Sequence, residues 1–524
     1  MADIRAGATW RLLPARPRGR MALAALAGAL AAAGQAPLGL AWATLVALAA
    51  LCALQLGARG PREAAWLGWA GGTGHFAAAL FWIVEPFLVD AARHGWMAPF
   101  ALVGLAGGLA LFWAGACWLA AWLRPGSGAA PALAWAAALA GAEAVRSYVL
   151  TGFPWALIGH VWVGWPAMQL SAWVGPLGLT ALTVVTAALA AALAFSRRWS
   201  LLPGLGACAA LLFVPGLAAE RSAEGAGAQA VLPAASAQAR PLVRLVQPNA
   251  AQHLKWDPEH ALRFWQRQID FTAAPAEGGR RPDLVVWPET AVPWLLERAG
   301  AALERIAEAA DGVPVVFGIQ RTEGGRAYNS LALLDADGSL AAVYDKHHLV
   351  PFGEYLPFPG LMARLGLSAF TAQAGYGYTP GPGPVLLAIG GDLGQALPLI
   401  CYEAIFPHEV LAAPGRADFI LQITNDAWFG TLAGPQQHLA QARLRAVETG
   451  LPVVRVANTG ISAVIDTRGQ VIGSLPLGEA GYLDLALPPP ERPTIYARAG
   501  DAPVILLLTV GLAALAATGR RKPG

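Results

Sequence analysis

The sequence predicts a polytopic α-helical membrane bundle of about eight transmembrane helices joined to an α/β layered domain. Three observations carry that expectation. Only 13% of the 524 residues are charged and 56% are hydrophobic, where soluble domains carry roughly 25% charge. The apolar residues are also segregated, because long uncharged runs fill the first 220 positions and one more closes the chain. Between them lies a block of ordinary polarity in which short β-branched runs alternate with helical patterns.

Candidate spans fall at about 21–36, 39–57, 65–89, 96–123, 129–150, 166–196, 199–219 and 502–519, each near the roughly 20 residues that cross a bilayer. The first run, MALAALAGALAAAG, follows several arginines and would also suit a signal peptide. Further spans follow at once, so it is read as a retained anchor. Basic residues orient the bundle, since short cytoplasmic loops retain Lys and Arg. With the N-terminus inside, thirteen basic residues, from Arg5 to Lys522, fall on the cytoplasmic side, against Arg93 and Arg146 outside. Both termini are then cytoplasmic, and the polar block is extracytoplasmic. The expected divisions are a bundle over 1–220, a linker over 221–240, a catalytic domain over 241–490 and a closing helix over 500–519. The net charge of +3 is mostly topology, and it gives no reason to expect a nucleic-acid partner.

Within the polar block, strands are expected at PLVRLVQ, PDLVVWPE, VPVVFGIQ, NSLALLDADG, LAAVYDKH, ALPLICYE, FILQITND, PVVRVANTG and SAVIDTRGQVIGS. Helices are expected at about 257–274, 294–310, 404–412 and 435–449. A Gly/Pro/aromatic segment from about 351 to 383 interrupts the alternation and is read as a lid or arm.

Of four cysteines, Cys52, Cys117 and Cys208 lie in predicted membrane helices, where a thiol is most often a small packing residue. Cys401 stands alone in the polar block, with no partner for a disulfide, no CxxC and no zinc spacing. Taken alone it would be an inert buried thiol. Its context argues otherwise, because three strand ends present an acid, an amine and a thiol: Glu289 in VVWPET, Lys346 in VYDKHHLVPFGE and Cys401 in LICYEAIFP. Strand carboxyl ends are where α/β folds place ligands, and these three groups are the parts of acyl transfer. His347 and His348 point to opposite faces of a strand and have no accompanying ligand cluster, so no metal and no other cofactor is expected. Glu143 and Arg146, three residues apart, either pair with one another or meet a lipid headgroup.

In these local contexts the polar block resembles the carbon-nitrogen hydrolase (nitrilase) superfamily. Together with its flanking membrane helices it resembles the apolipoprotein N-acyltransferase family, through KWDP with Trp256, WPET, DKHHLVPFGEYLP, ICYE, TNDAWFG and RSYVLTGFPW. The resemblance implies an αββα sandwich for the polar block and a multi-pass protein of the bacterial inner membrane with its catalytic domain on the periplasmic side. It further implies ping-pong N-acylation of the S-diacylglyceryl-cysteine at an apolipoprotein N-terminus. Phosphatidylethanolamine is the expected phospholipid donor, Cys401 carries the thioester, and the protein acts as a monomer. By the same resemblance Glu289 is the general base, Lys346 stabilises the oxyanion, and Glu354 positions Lys346 or assists proton transfer. Tyr402, Glu403 and Trp256 are expected near the site, Trp256 lining an acyl or headgroup pocket. Two other readings stand beside this one: a membrane-tethered nitrilase or amidase, and a transporter or receptor with a degenerate binding domain.

Overall fold

The computed structural model describes residues 16–123, 125–196, 199–210, 212, 240–276, 279–357, 364 and 377–520. The predicted linker thus lies outside the described residues, except for Arg240. So does most of the predicted lid, and so does the end of the seventh predicted span. The chain divides into a helical unit (Met1–Ala228, Leu432–Ala440 and Thr494–Gly524) and a sheet unit (Gln229–Thr431 and Gln441–Pro493).

The helical unit contains α1 (Pro17–Ala31), α2 (Ala41–Leu56), α3 (Pro61–Ala79), α4 (Ala98–Leu123), α5 (Ala130–Tyr148), α6 (Ser171–Ser196) and a final helix, Ala502–Arg520. A helix thus falls in each of these predicted spans, but length separates them. Among the described residues two stretches, Ala91–Leu123 and Pro166–Ala194, are long and apolar enough to cross a membrane. Pro61–Ala79 with Phe81–Leu88 would be a third if a chain bent by 68° counts as one span. Helices α1 and α2, at 15 and 16 residues, are shorter than the sequence runs that predicted them.

Small residues let these helices approach closely, the usual means of association where no hydrophobic contrast drives it. A Cβ on Gly28 of α1 would sit 1.8 Å from the Gly71 carbonyl oxygen of α3, so any side chain there would force the pair apart. The largest buried polar cluster inside the bundle is paired. Arg146 Nη2 lies 2.6 Å from Glu143 Oε2, Trp113 Nε1 donates to Glu143 Oε1 at 2.7 Å, and Arg146 Nη1 donates to the carbonyl oxygens of Phe153 and Trp155. The RSYVLTGFPW string is thereby a turn tied to its own arginine, and Glu143 and Arg146 do pair with one another. Gln437 fills all four hydrogen-bonding positions of its amide. Its oxygen accepts from the indoles of Trp82 and Trp155, and its nitrogen donates to the carbonyls of Ala36 and Ala79.

The sheet unit is built on two six-stranded sheets, ordered β12-β1-β2-β3-β4-β5 and β11-β10-β9-β8-β7-β6. The first sheet comprises β1 (Leu242–Gln247), β2 (Leu284–Val286), β3 (Val315–Glu323), β4 (Arg326–Leu334), β5 (Leu340–Asp345) and β12 (Gly481–Ala486). The second comprises β6 (Leu387–Gly390), β7 (Gly394–Ile400), β8 (Phe419–Thr424), β9 (Val453–Ala457), β10 (Ser462–Ile465) and β11 (Val471–Leu475). Strand alternation explains the layering. Val243, Leu245, Leu284, Val286 and Val316 of the first sheet share one core with Ile400, Leu421, Ile423 and Val454 of the second. Residues of the opposite parity, Val285, Val315 and Phe317, pack instead against Trp265 and Ile269 of α7 (Pro258–Ala273) and Ala302 and Ile306 of α8 (Gly300–Ala310).

The predicted strands are present, and two more appear, β6 and β12. The second is a strand with no strong apolar run; it is fixed by Arg244 of β1, whose guanidinium meets Asp484 at 2.7 and 2.8 Å. The helix expected over 294–310 starts only at Gly300, after a 3-10 turn at Leu296–Arg298, and that over 404–412 shrinks to Pro407–Val410. Helix α9 (Gly434–Thr449) begins in the helical unit and ends in the sheet unit.

Candidate active site

Three strand ends converge in the sheet unit. Glu289 follows β2, Lys346 directly follows β5 and Cys401 directly follows β7. All three are buried, Lys346 almost completely at 1% exposure. An ammonium removed from water needs carboxylate partners to remain charged, and two are supplied. Lys346 Nζ sits 2.8 Å from Glu354 Oε1 and 3.8 Å from Glu289 Oε1. Burial pulls the Lys346 pKa down, but the charges of Glu354 and Glu289 outweigh it and leave the ammonium held above its ordinary value.

The two carboxylates are held differently. Glu354 makes the close ion pair and also accepts from the Val350 N–H at 2.7 Å and from Asn329 Nδ2 at 3.1 Å. Glu289 is held by neutral donors, Asn329 Nδ2 on Oε1 at 2.7 Å and the Asn425 N–H on Oε2 at 2.8 Å. The cation thus stands a full ångström further from Glu289 than from Glu354.

Cys401 adopts φ +53, in the left-handed region that non-glycine residues seldom enter. Strain of this kind recurs where a side chain must be aimed. Here it turns the chain out of β7 into the 3-10 turn Cys401–Ile405. Burial pushes the Cys401 thiol pKa well up, Glu289 pushes the same way, and Lys346 opposes. Burial thus favours the neutral thiol over the thiolate.

Glu403, completely buried, gathers hydrogen bonds from two segments of the chain. Its Oε2 receives the Ile400 N–H at 2.6 Å, and its Oε1 receives the His347 N–H at 2.7 Å, the His348 N–H at 3.3 Å and the Tyr344 hydroxyl at 2.9 Å. One carboxylate therefore joins the chain at the end of β7 to the chain at the end of β5, fixing Cys401 relative to Lys346. Tyr402 is also buried and packs on Phe406, their ring centroids 5.0 Å apart. Trp256 stands off from this cluster, 40% exposed, beside Lys255 Nζ at 5.6 Å from its ring centroid. Glu354, Glu289 and Lys346 are brought together; Glu403 and Tyr402 flank them.

His347 and His348 engage carboxylates. His347 Nδ1 is 2.7 Å from Glu403, and Glu409 lies 3.2 Å from His347 and 2.5 Å from His348. Among the described residues no group of three or more His, Cys, Asp or Glu side chains has metal-binding geometry. Sequence reasoning missed Asn329, Lys255 and Glu409. Asn329 sits in mid-strand and becomes central only because β4 lies beside β5, with its residue 330 paired to Asp345. Asn425 was within reach in the TND string, whose asparagine now serves Glu289 through its main-chain N–H.

A Glu-Lys-Cys cluster at strand ends of two stacked sheets defines a carbon-nitrogen hydrolase domain, and the carbon-nitrogen hydrolase family matches residues 234–492. Residues 27–189 match the apolipoprotein N-acyltransferase N-terminal domain. The chain is 41% identical to an apolipoprotein N-acyltransferase of Brucella melitensis, over 94% of this chain and 95% of that one. It is 39% identical to one of Caulobacter vibrioides, over 96% and 95%. An amidase from Nesterenkonia sp. aligns at a TM-score of 0.36 and 23% identity, over 51% of this chain and 95% of its own. The chain belongs to the apolipoprotein N-acyltransferase family and is an acyltransferase.

Proposed function

We propose that Cys401 carries the acyl chain in a two-step transfer from phospholipid to the N-terminal amine of a diacylglyceryl apolipoprotein. Glu289 takes the thiol proton as Sγ attacks the sn-1 ester carbonyl, and the ester C–O bond breaks to leave a thioester. The same proton passes to the departing lysophospholipid hydroxyl. In the second half the incoming amine gives a proton to Glu289, attacks the thioester carbon and forms the amide; the proton returns to sulfur. Lys346, charged in both halves, stabilises the oxyanion together with main-chain N–H groups following Cys401. Glu354 anchors Lys346, Glu403 and Tyr402 hold the nucleophile's turn, and Trp256 lines the acyl or headgroup side.

The observation that supports this reading best is the asymmetry of the two carboxylates, with Glu289 at 3.8 Å from Lys346 Nζ and Glu354 at 2.8 Å. It equips the site with one anchored acid and one free base. Phosphatidylethanolamine is the donor we favour, and a monomer suffices because every group named comes from one chain. The setting is the bacterial inner membrane, crossed about eight times. On this reading the bundle takes in 1–220 and 500–519, and the catalytic domain at 241–490 is periplasmic with both termini cytoplasmic; the placement of basic residues supports that orientation.

The test is mass spectrometry of the purified full-length protein incubated with dipalmitoyl phosphatidylethanolamine. We expect a palmitoyl mass on the Cys401 peptide that hydroxylamine removes and that is lost in Glu289→Gln and Lys346→Ala. An acylated wild-type protein whose label sits elsewhere would refute the mechanism.

A further inference from the structure

The geometry points to Lys255 as a positioning residue for Glu289: its ammonium grips the Glu289 carbonyl oxygen and the Thr290 hydroxyl, locking the turn that aims the Glu289 carboxylate. The inference rests on Glu289 being the base.

Glu289 owes its orientation to a turn under strain. Thr290, the next residue, has φ +47, a conformation that a β-branched side chain rarely adopts. On the β3 side the turn is pressed against Gly318, where a Cβ would lie 2.3 Å from the Thr290 nitrogen and 2.6 Å from the Glu289 Cα. Main-chain bonds fasten that side, Gly318 N–H to the Pro288 oxygen at 3.1 Å and Ala291 N–H to the Gly318 oxygen at 2.8 Å. Lys255 supplies the remaining fastening, from the segment ahead of α7. Its Nζ donates to the Glu289 carbonyl oxygen at 3.2 Å and to Thr290 Oγ1 at 2.8 Å.

That ammonium is 7% exposed, and among the described residues no carboxylate lies within ion-pair distance of it. A neutral side chain of the same length would be far cheaper to bury. What the ammonium adds is the pair of bonds to the Glu289–Thr290 turn. The adjacent cavity, bordered by Lys255, Trp256, Gln268, Thr290 and Asn458, measures about 20 Å³. That is room for one water and far too little for a headgroup or acyl chain, so the ammonium serves the turn and not a ligand. The charged group facing Lys255 is Glu289; the other groups bordering the cavity are neutral. Burial lowers the Lys255 pKa to about 8, with Glu289 the counterweight, whereas Lys346 and Cys401 are both displaced upward. A neutral amine is a weaker donor to a carbonyl than an ammonium, so the turn loosens as pH rises through that value.

The test is single-turnover acylation of Cys401 by dioleoyl phosphatidylethanolamine in full-length protein, followed from pH 6 to 9.5. Lys255→Met should slow acylation about 10- to 100-fold with the apparent KM for lipid nearly unchanged, the scale expected from misaiming a base by an ångström or less. The wild-type rate should fall near pH 8, and that limb should vanish in Lys255→Met. Lys255→Gln, which keeps a donor without the charge, should lie between them, and it serves where Lys255→Met does not fold. In a Glu289→Gln background either substitution should cost nothing more. Additive losses, a rise in KM alone, or wild-type acylation in both variants would overturn the inference. Unchanged acylation in Glu289→Gln alone would instead overturn the reading of Glu289 as the base.

Discussion

Each unit buries a cluster of opposite charges, and the two clusters are closed to different degrees. In the helical unit Glu143 and Arg146 stand one to one at 2.6 Å, and indole and carbonyl partners take up the carboxylate and guanidinium atoms that remain. In the sheet unit two carboxylates share one ammonium, and Glu289 is left 3.8 Å from it. A closed pair resists protonation changes and stiffens the structure around it; an open cluster keeps a group that can exchange a proton. Burial of charge alone therefore does not separate the two clusters; the ratio of carboxylates to cations does.

Removing the proposed nucleophile tests the open cluster most severely. Cys401→Ala should lower acyl transfer about 10⁴-fold or more, read as release of lysophospholipid, with the melting temperature within a few degrees of wild type. Glu289→Gln comes next. It preserves shape and hydrogen bonding, so transfer should fall about 10²- to 10⁴-fold with little change in stability. Glu354→Gln, by contrast, should cost stability as well, because it breaks the close pair to Lys346; equal melting temperatures for these two variants would erase the distinction drawn between the carboxylates.

For the closed cluster the order of effects reverses. Arg146→Met leaves Glu143 buried without its cation and should destabilise the helical unit by about 3–5 kcal/mol, measured by thermal unfolding in detergent. Adding Glu143→Leu should recover much of that loss. If the double variant were no more stable than the single one, the pair would not be the closed structural unit described here.

The smallest expected effect concerns the histidine cluster behind the nucleophile. Burial lowers the His347 pKa, but hydrogen bonds and charge from Glu403 and Glu409 prevail and raise it to about 9. Its contribution to stability is therefore complete below about pH 6.5, the ordinary histidine value, and is lost as pH climbs through 9. Burial raises Glu409, yet His347 and His348 bring it down to about 2, so its contribution is present above its ordinary 4.5 and is lost as pH falls through 2. Melting temperature should be highest between these limits, and His347→Gln should flatten the alkaline decline. An unchanged alkaline limb in that variant would mean that another group sets it.

The sequence exposed the three reactive strand ends because each follows a short β-branched run, and strand ends are where this class of fold puts its chemistry. It could not expose Asn329, which lies inside NSLALL with no motif around it and reaches Glu289 only through the register of β4 against β5. Nor could it expose Lys255, whose contact is with a left-handed residue 35 positions away. β12 escaped notice because its hold comes from a buried Arg244–Asp484 pair and not from its own apolar pattern.

By itself the sequence determined the class of most segments and put forward the candidate reacting groups, since hydrophobic period, charge density and residue chemistry are local properties. The tertiary structure decided which carboxylate stands nearer the ammonium, which buried charges close upon one another, and which turns bear strain. Those depend on distances between residues far apart in the chain.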